Sequence, residues 1–187
     1  MDGSMKDITD EELAKLTQEG ETEAFGILVE RYEKKLLRYG KRFLFDYENI
    51  KDAVQEVFIK AYGNIRGFDH SKRFSPWIYR IAHNDFVNII KKNKREPYTI
   101  FDTDVIFSFA SEEEILTGVE RKERKREVEK YLSEIKPKYR EILVLFYFEE
   151  KDYKEISDIL SIPVSTVGVR LRRGREEVKK IYEKRKR

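Results

Sequence analysis

Cysteine is absent from this 187-residue chain, which removes disulfides, thiolate metal sites and thiol nucleophiles together. Histidine occurs only as His70 and His83, and neither stands in a spacing that would build a metal site or a catalytic dyad. No metal and no cofactor are therefore expected, and no enzymatic activity. No apolar run approaches the roughly 18 residues needed to cross a bilayer. No basic-then-apolar leader opens the chain, so neither membrane insertion nor export is expected, and a cytoplasmic protein is. Internal repeats are lacking, as are low-complexity tracts other than the basic tail from Lys184 onward. Residues 1–5 read as a cloning scar.

What is present is charge, and its distribution matters more than its total. Basic residues number 39 and acidic ones 36, for a net charge of +3. Residues 164–187 hold ten basic residues against three acidic ones, and residues 79–95 hold five against one, Asp85. Between these zones, residues 96–120 carry seven acidic residues and neither Lys nor Arg. Such segregation points to separate tasks along the chain. The acidic stretch reads as a linker, with a helical turn near residues 111–116.

Apolar residues recur at helical spacing almost throughout. Thr9 and Glu12 form a capping box for a short helix with Leu13 and Leu16, ended by Gly20. A second helix carries Phe25, Leu28, Val29, Tyr32, Leu36 and Phe43. A third carries Ile50, Ala53, Val54, Val57, Phe58, Ala61, Tyr62 and Ile65. After a polar loop at residues 69–73, Ser75 reads as an N-cap with Pro76 at the first helical position. The helix that follows holds Trp77, Ile78, Ile81, Ala82, Phe86, Ile89 and Ile90. The expected architecture is all-α, with a helical bundle over residues 6–95, the linker, and a second helical domain over residues 121–187. That second domain closes with helix, tight turn and helix: residues 153–160, then Ser161, Ile162 and Pro163, then Val164 onward.

Three stretches carry functional chemistry. In the helix-turn-helix, Ile156, Leu160, Ile162, Val167 and Leu171 lock the two helices, with the small Ser157 at their close approach. Ser165, Thr166, Val169, Arg170 and Arg173 then lie on or near the free face of a cationic helix suited to a DNA major groove. Backbone N–H groups at its start also favour a phosphate. In Asp52-Ala-Val-Gln55-Glu56-Val-Phe58-Ile-Lys60, the polar residues form a stripe fit to dock on a basic protein surface, or simply a solvated helix face. In Phe68-Asp69-His-Ser-Lys72-Arg73-Phe74-Ser-Pro-Trp77-Ile-Tyr-Arg80, aromatic residues alternate with basic and polar ones. That mixture suits single-stranded nucleic acid, where rings stack on bases and cations follow the backbone, and a polar loop can receive a flipped base. Trp77 falls on the apolar stripe, so the core is its first expectation and a stacking surface the alternative. A stand-alone DNA-binding regulator would use the C-terminal motif but leave residues 52–84 idle. An enzyme would need convergent acids or histidines, and a plain interaction module would need none of these motifs.

These motifs resemble, in order, those of the extracytoplasmic-function (group IV) sigma factors. Residues 52–62 resemble region 2.2. Phe74-Ser-Pro-Trp77-Ile-Tyr-Arg80-Ile-Ala-His-Asn84 resembles regions 2.3 to 2.4. Pro137-Lys-Tyr-Arg-Glu-Ile-Leu resembles region 4.1, and Ile162-Pro-Val-Ser165-Thr166-Val-Gly-Val169-Arg170-Leu-Arg-Arg173 resembles region 4.2. Ser165, Gly168, Val169 and Pro76 depart from the usual pattern, which bears on the sequence read and not on the fold. The resemblance implies partners and roles. Core RNA polymerase, through its beta-prime and beta subunits, would be bound, with Asp52, Gln55, Glu56 and Phe58 on the beta-prime clamp. Promoter DNA would be read at the minus-10 element by Phe68, Asp69, Lys72, Arg73, Phe74, Trp77, Arg80, Asn84, Asn88, Lys91 and Lys92. The minus-35 element would fall to Ser165, Thr166, Val169, Arg170 and Arg173. An anti-sigma factor would hold the protein inactive.

Overall fold

The structure is a computed structural model, and it describes residues 7–42, 47–93, 131–132 and 134–185. The acidic stretch 96–120 and Phe43 lie outside the described residues. Every regular element described is helical: α1 (Asp10–Gln18), α2 (Thr22–Gly40), α3 (Tyr47–Asn64), a 3-10 turn (Ile65–Gly67), α4 (Phe74–Asn93), α5 (Pro137–Tyr147), α6 (Tyr153–Leu160) and α7 (Val164–Arg185). The protein is all-α and divides into two compact units, the first holding α1–α4 and the second α5, α7 and most of α6.

In the first unit the local signals act as their chemistry dictates. Thr9 accepts from the Glu12 backbone at 3.2 Å while Glu12 accepts from Thr9 N–H at 3.0 Å, so the capping box forms. Gly20, at φ +108°, turns the chain after α1. Nine residues are too few for a helix to persist alone, so α1 depends on its neighbours. Leu13 and Ala14 are fully buried, and Asp10 accepts hydrogen bonds from Arg31 (2.6 Å) and Tyr32 (2.5 Å) on α2. The core between α2, α3 and α4 is dense with rings. Tyr39 lies 5.3 Å from Tyr79 and 5.9 Å from Phe86, centroid to centroid. Full burial of such a side chain stabilises the fold by about 1.5–3 kcal/mol.

Two readings of local sequence need correction. Helix α4 begins at Phe74, so Ser75 lies inside the first turn and is not the N-cap. The role is taken from a distance: Glu11 of α1 accepts from Phe74 N–H at 2.9 Å. Pro76 is tolerated because first-turn N–H groups have no helical partner to lose. Tyr62, expected in the core, is 46% exposed although its ring meets Phe25 edge-on at 5.0 Å.

In the second unit Pro137 starts α5 at its first turn, the position where its missing N–H costs least. Asp152 and Glu155 cap α6 reciprocally, at 2.8 and 3.0 Å. Ser161 ends α6 in the left-handed region, φ 52°, and Ser157 donates to the Ile162 carbonyl at 2.6 Å. Ser157 therefore pins the turn, a role beyond the small size that its position suggested. Ile156, Ile159, Val167 and Leu171 are buried.

Two glycines of α7 sit in opposite circumstances. A Cβ at Gly168 would meet only a Tyr153 ring carbon, at 3.5 Å, whereas one at Gly174 would press on Leu143 at 3.1 and 3.2 Å and on the Tyr139 Cβ at 3.3 Å. Gly168→Ala should raise stability by about 0.5–1 kcal/mol through helix propensity. Gly174→Ala should lower it by about 1–3 kcal/mol through overpacking of α7 on α5. Thermal unfolding of the two variants checks the opposite signs.

Candidate polymerase and nucleic-acid interfaces

Helix α4 places one face to solvent and the other in the core. Arg80, Asn84, Asn88, Lys91 and Lys92 are all exposed, and their spacing of four, four and three or four puts them on one stripe. Ile78, Tyr79, Ala82 and Phe86 occupy the buried side. Asp85 would weaken the cationic character of this stripe, but Lys60 of α3 donates to it at 2.8 Å. That hydrogen bond holds the Lys60 ammonium above its usual range and offsets the one acidic charge. Lys60 thus reaches toward α4 while also lying 3.6 Å from Glu56 on the outward stripe of α3.

The loop ahead of α4 splits into buried and exposed parts. Phe68 and Phe74 are 5% and 1% exposed, and Trp77 is half-buried. The three rings meet in one cluster, with centroids 5.1 to 5.5 Å apart. Phe68 and Phe74, expected at the minus-10 element, have their rings packed in the core, where they anchor the loop. Asp69, His70, Ser71, Lys72 and Arg73 project outward. Asp69 accepts from the Ser71 hydroxyl at 2.7 Å and its N–H at 3.0 Å. These bonds hold its carboxyl below the usual carboxylate range and shape the turn.

On α3, Asp52, Gln55 and Glu56 are exposed as a polar stripe. Phe58, at 9% exposure, packs edge-on to Phe25, 6.4 Å between centroids, and supports that surface from beneath. The residue missed is Ile59, 66% exposed beside Gln55 and Glu56. Its place four residues after Gln55 was the available signal. Gln55, Glu56, Ile59 and Tyr62 together make a mixed polar and apolar exposed face.

On α7, Ser165, Val169 and Arg173 are exposed, and Thr166 is half-buried. Arg170 departs from expectation. Its guanidinium reaches Glu141 of α5 at 3.4 Å, with 29% of the side chain exposed. Burial pushes the Glu141 carboxyl up, opposed by Arg170. Arg170 therefore links α7 to α5. Arg172 and Arg175, which sequence reasoning did not single out, are exposed along the same helix. Arg172 is bonded to Glu176 at 2.8 Å.

His83 lies beneath the α4 stripe, 7% exposed, with Nδ1 at 3.0 Å from the Tyr39 hydroxyl. Burial pushes its pKa down to about 4, below the value near 6.5 of an unfolded chain. Above pH 6.5 both states are neutral and the residue adds no pH dependence. Between 6.5 and 4 the unfolded chain takes a proton that the folded one refuses, so stability falls by up to about 1.4 kcal/mol per pH unit. Urea unfolding of the protein and of His83→Gln across this window should show a shallower fall in the variant.

Comparison with known proteins gives consistent matches. Residues 28–96 match the Sigma-70 region 2 family and residues 125–178 match Sigma-70, region 4. The ECF RNA polymerase sigma factor SigW of Bacillus subtilis (strain 168) is 33% identical, over 89% of this chain and 92% of the relative. The ECF RNA polymerase sigma-E factor of Escherichia coli (strain K12) is 30% identical, over 91% of this chain and 93% of its own. Among solved structures, CnrH in complex with the cytosolic domain of CnrY superposes with a TM-score of 0.71 at 23% identity, covering 93% of this chain and 97% of the other. That last likeness is one of fold. No helix among the described residues is long and apolar enough to cross a membrane.

Proposed function

This chain belongs to the extracytoplasmic-function RNA polymerase sigma factors, and from that premise we propose a division of promoter recognition between its two units. As a sigma factor it binds core RNA polymerase, recognises the minus-10 and minus-35 elements and promotes initiation. It performs no chemistry of its own. Nucleotide polymerisation belongs to the polymerase.

The residue assignments are as follows. The face of α3 formed by Asp52, Gln55, Glu56 and Ile59 docks on the beta-prime subunit, with Phe58 as its support. Asp69, Lys72 and Arg73 receive an unpaired base of the minus-10 element, in a loop anchored by Phe68, Phe74 and Trp77. Arg80, Asn84, Asn88, Lys91 and Lys92 follow the strand backbone and adjoining duplex. Ser165, Thr166, Val169, Arg172 and Arg173 read the minus-35 major groove, with Arg170 orienting them, while the second unit meets the beta subunit. Residues 6–95 and 121–187 form the two domains and residues 96–120 the linker between them. An anti-sigma factor holds the protein inactive in the cytoplasm by covering exposed apolar residues such as Ile59 and Tyr62.

The single observation that carries this reading is the unbroken polar and cationic stripe of α4, kept cationic by the Lys60–Asp85 pair and continuous in sequence with the exposed loop. Energetically, each unit need bind only weakly. Unstacking costs a few kcal/mol per base, which captured bases offset, and tethering both units to polymerase raises their effective concentration at the promoter.

Holoenzyme reconstituted with core polymerase tests the assignment. Run-off transcription should give a discrete start site on promoter fragments selected from random duplex DNA. Lys91→Ala with Lys92→Ala should weaken promoter binding for every sequence and reduce the slope of log affinity against log salt by about 1 to 2. Gln55→Ala with Glu56→Ala should lower affinity for core polymerase about tenfold and leave the salt slope unchanged. Loss of core binding in the lysine variant, or its retention in the α3 variant, would sink these roles.

A further inference from the structure

Helix α1 precedes the part of the chain that matches region 2, which begins at residue 28, yet it reaches both ends of the loop assigned to base capture. Gln18 Nε2 donates to the carbonyl oxygens of Ile65 and Phe68, each at 2.8 Å. At the other end Glu11 Oε1 accepts from Phe74 N–H at 2.9 Å. Residues 11 and 18 are seven apart, two helical turns and roughly 10 Å along one face. A single rigid rod thus spans the loop from its entry at Phe68 to its exit at Phe74.

The contacts are chemically suited to holding backbone. Ile65 and Phe68 close a 3-10 turn in which the Ile65 carbonyl accepts Phe68 N–H at 3.0 Å, and one amide side chain adds a second donor to that carbonyl and one to the carbonyl of Phe68. A carboxylate at the start of α4 meets the positive end of that helix and makes a charge-assisted bond. Within the loop, Lys72 N–H donates to the Asp69 carbonyl at 2.9 Å and the Asp69 side chain takes both Ser71 donors. The loop is therefore bonded at its start, in its middle and at its end. The rod is itself fixed, by Asp10 to Arg31 and Tyr32 and by burial of Leu13 and Ala14.

We propose that Glu11 and Gln18 are positioning residues for promoter recognition: they hold residues 68–73 in the shape that admits an unpaired base, and so set the discrimination at that base. The inference rests on the reading that this loop captures a base. A loop ordered in advance does not lose its freedom at the moment of binding, and a pocket of fixed shape rejects the wrong base more strongly than one that adjusts. Neither residue need touch DNA.

The test uses the full chain bound to core polymerase and fork-junction DNA. The single-stranded overhang carries the minus-10 sequence selected by the unaltered protein, with each base replaced in turn. The readout is the ratio of matched to mismatched affinity at each position. Gln18→Ala and Glu11→Ala should each lower that ratio at one position by about tenfold, the weight of one mismatch. Glu11→Gln, which keeps a carbonyl oxygen as acceptor, should restore most of it. Affinity for core polymerase and for the upstream duplex should stay constant in all three, with thermal unfolding measured alongside. An unchanged ratio in both alanine variants overturns the inference, as does a loss shared equally by core binding, or Glu11→Gln behaving like Glu11→Ala. Asp69→Ala and Lys72→Ala separate the two levels. If these loop variants leave the ratio intact, base capture by the loop fails. If they lower it while the α1 variants do not, only the positioning role fails.

Discussion

Short helices that cannot stand alone must bury one stripe against a neighbour, and that requirement governs everything else in this molecule. Helix α1 has nine residues and α6 eight, below the length at which helices persist in water. Their apolar stripes are therefore committed to packing, and each commitment leaves a defined opposite face. Burial of Ile78, Tyr79, Ala82 and Phe86 is what presents Arg80, Asn84 and Asn88 outward. Burial of Val167 and Leu171 does the same for Ser165, Val169 and Arg173 on α7. The functional surfaces are the complement of the core, so they are only as well defined as the core is rigid.

Electrostatic pairs refine those surfaces without creating them. Lys60 offsets Asp85 and leaves α4 cationic, while Glu141 holds Arg170 against α5. Both pairs are partly buried and join two helices, where screening by salt is weaker than at the surface. In contrast, the i,i+4 pairs Arg172–Glu176 and Lys179–Glu183 lie on exposed faces of α7 and add little to stability. The division matters for function, because charges meant for phosphates have to remain accessible. Those consumed in structure are a separate set, drawn from the same residue types.

Legibility in the sequence followed the range of the interactions. The capping box of Thr9 and Glu12, the turn at Gly20, the helix-turn-helix boundaries and most members of the apolar stripes, Tyr62 excepted, are local, and spacing alone displays them. Membership in the sigma factor family was legible as well, since its motifs are contiguous runs. Ser75 was misread as a cap because the acceptor for Phe74 N–H comes from Glu11, far away in sequence. Phe68 and Phe74 were read as DNA-facing because alternating aromatic and basic residues carry the same signature whether the rings face bases or one another. Phe58 and Ile59 differ by one position, and one step around a helix decides which enters the core.

By itself, the sequence determined that the chain is helical, where most of the described helices lie, and which kind of partner its charged zones suit. Periodicity and capping act over a single turn, so a linear reading captures them. Only the tertiary structure decided which arginine is free and which is bound, which aromatic ring is exposed, and that one helix at the start of the chain holds both ends of a loop some fifty residues later. Those outcomes depend on distances between groups remote in the chain, and such distances exist only once the apolar stripes have found each other.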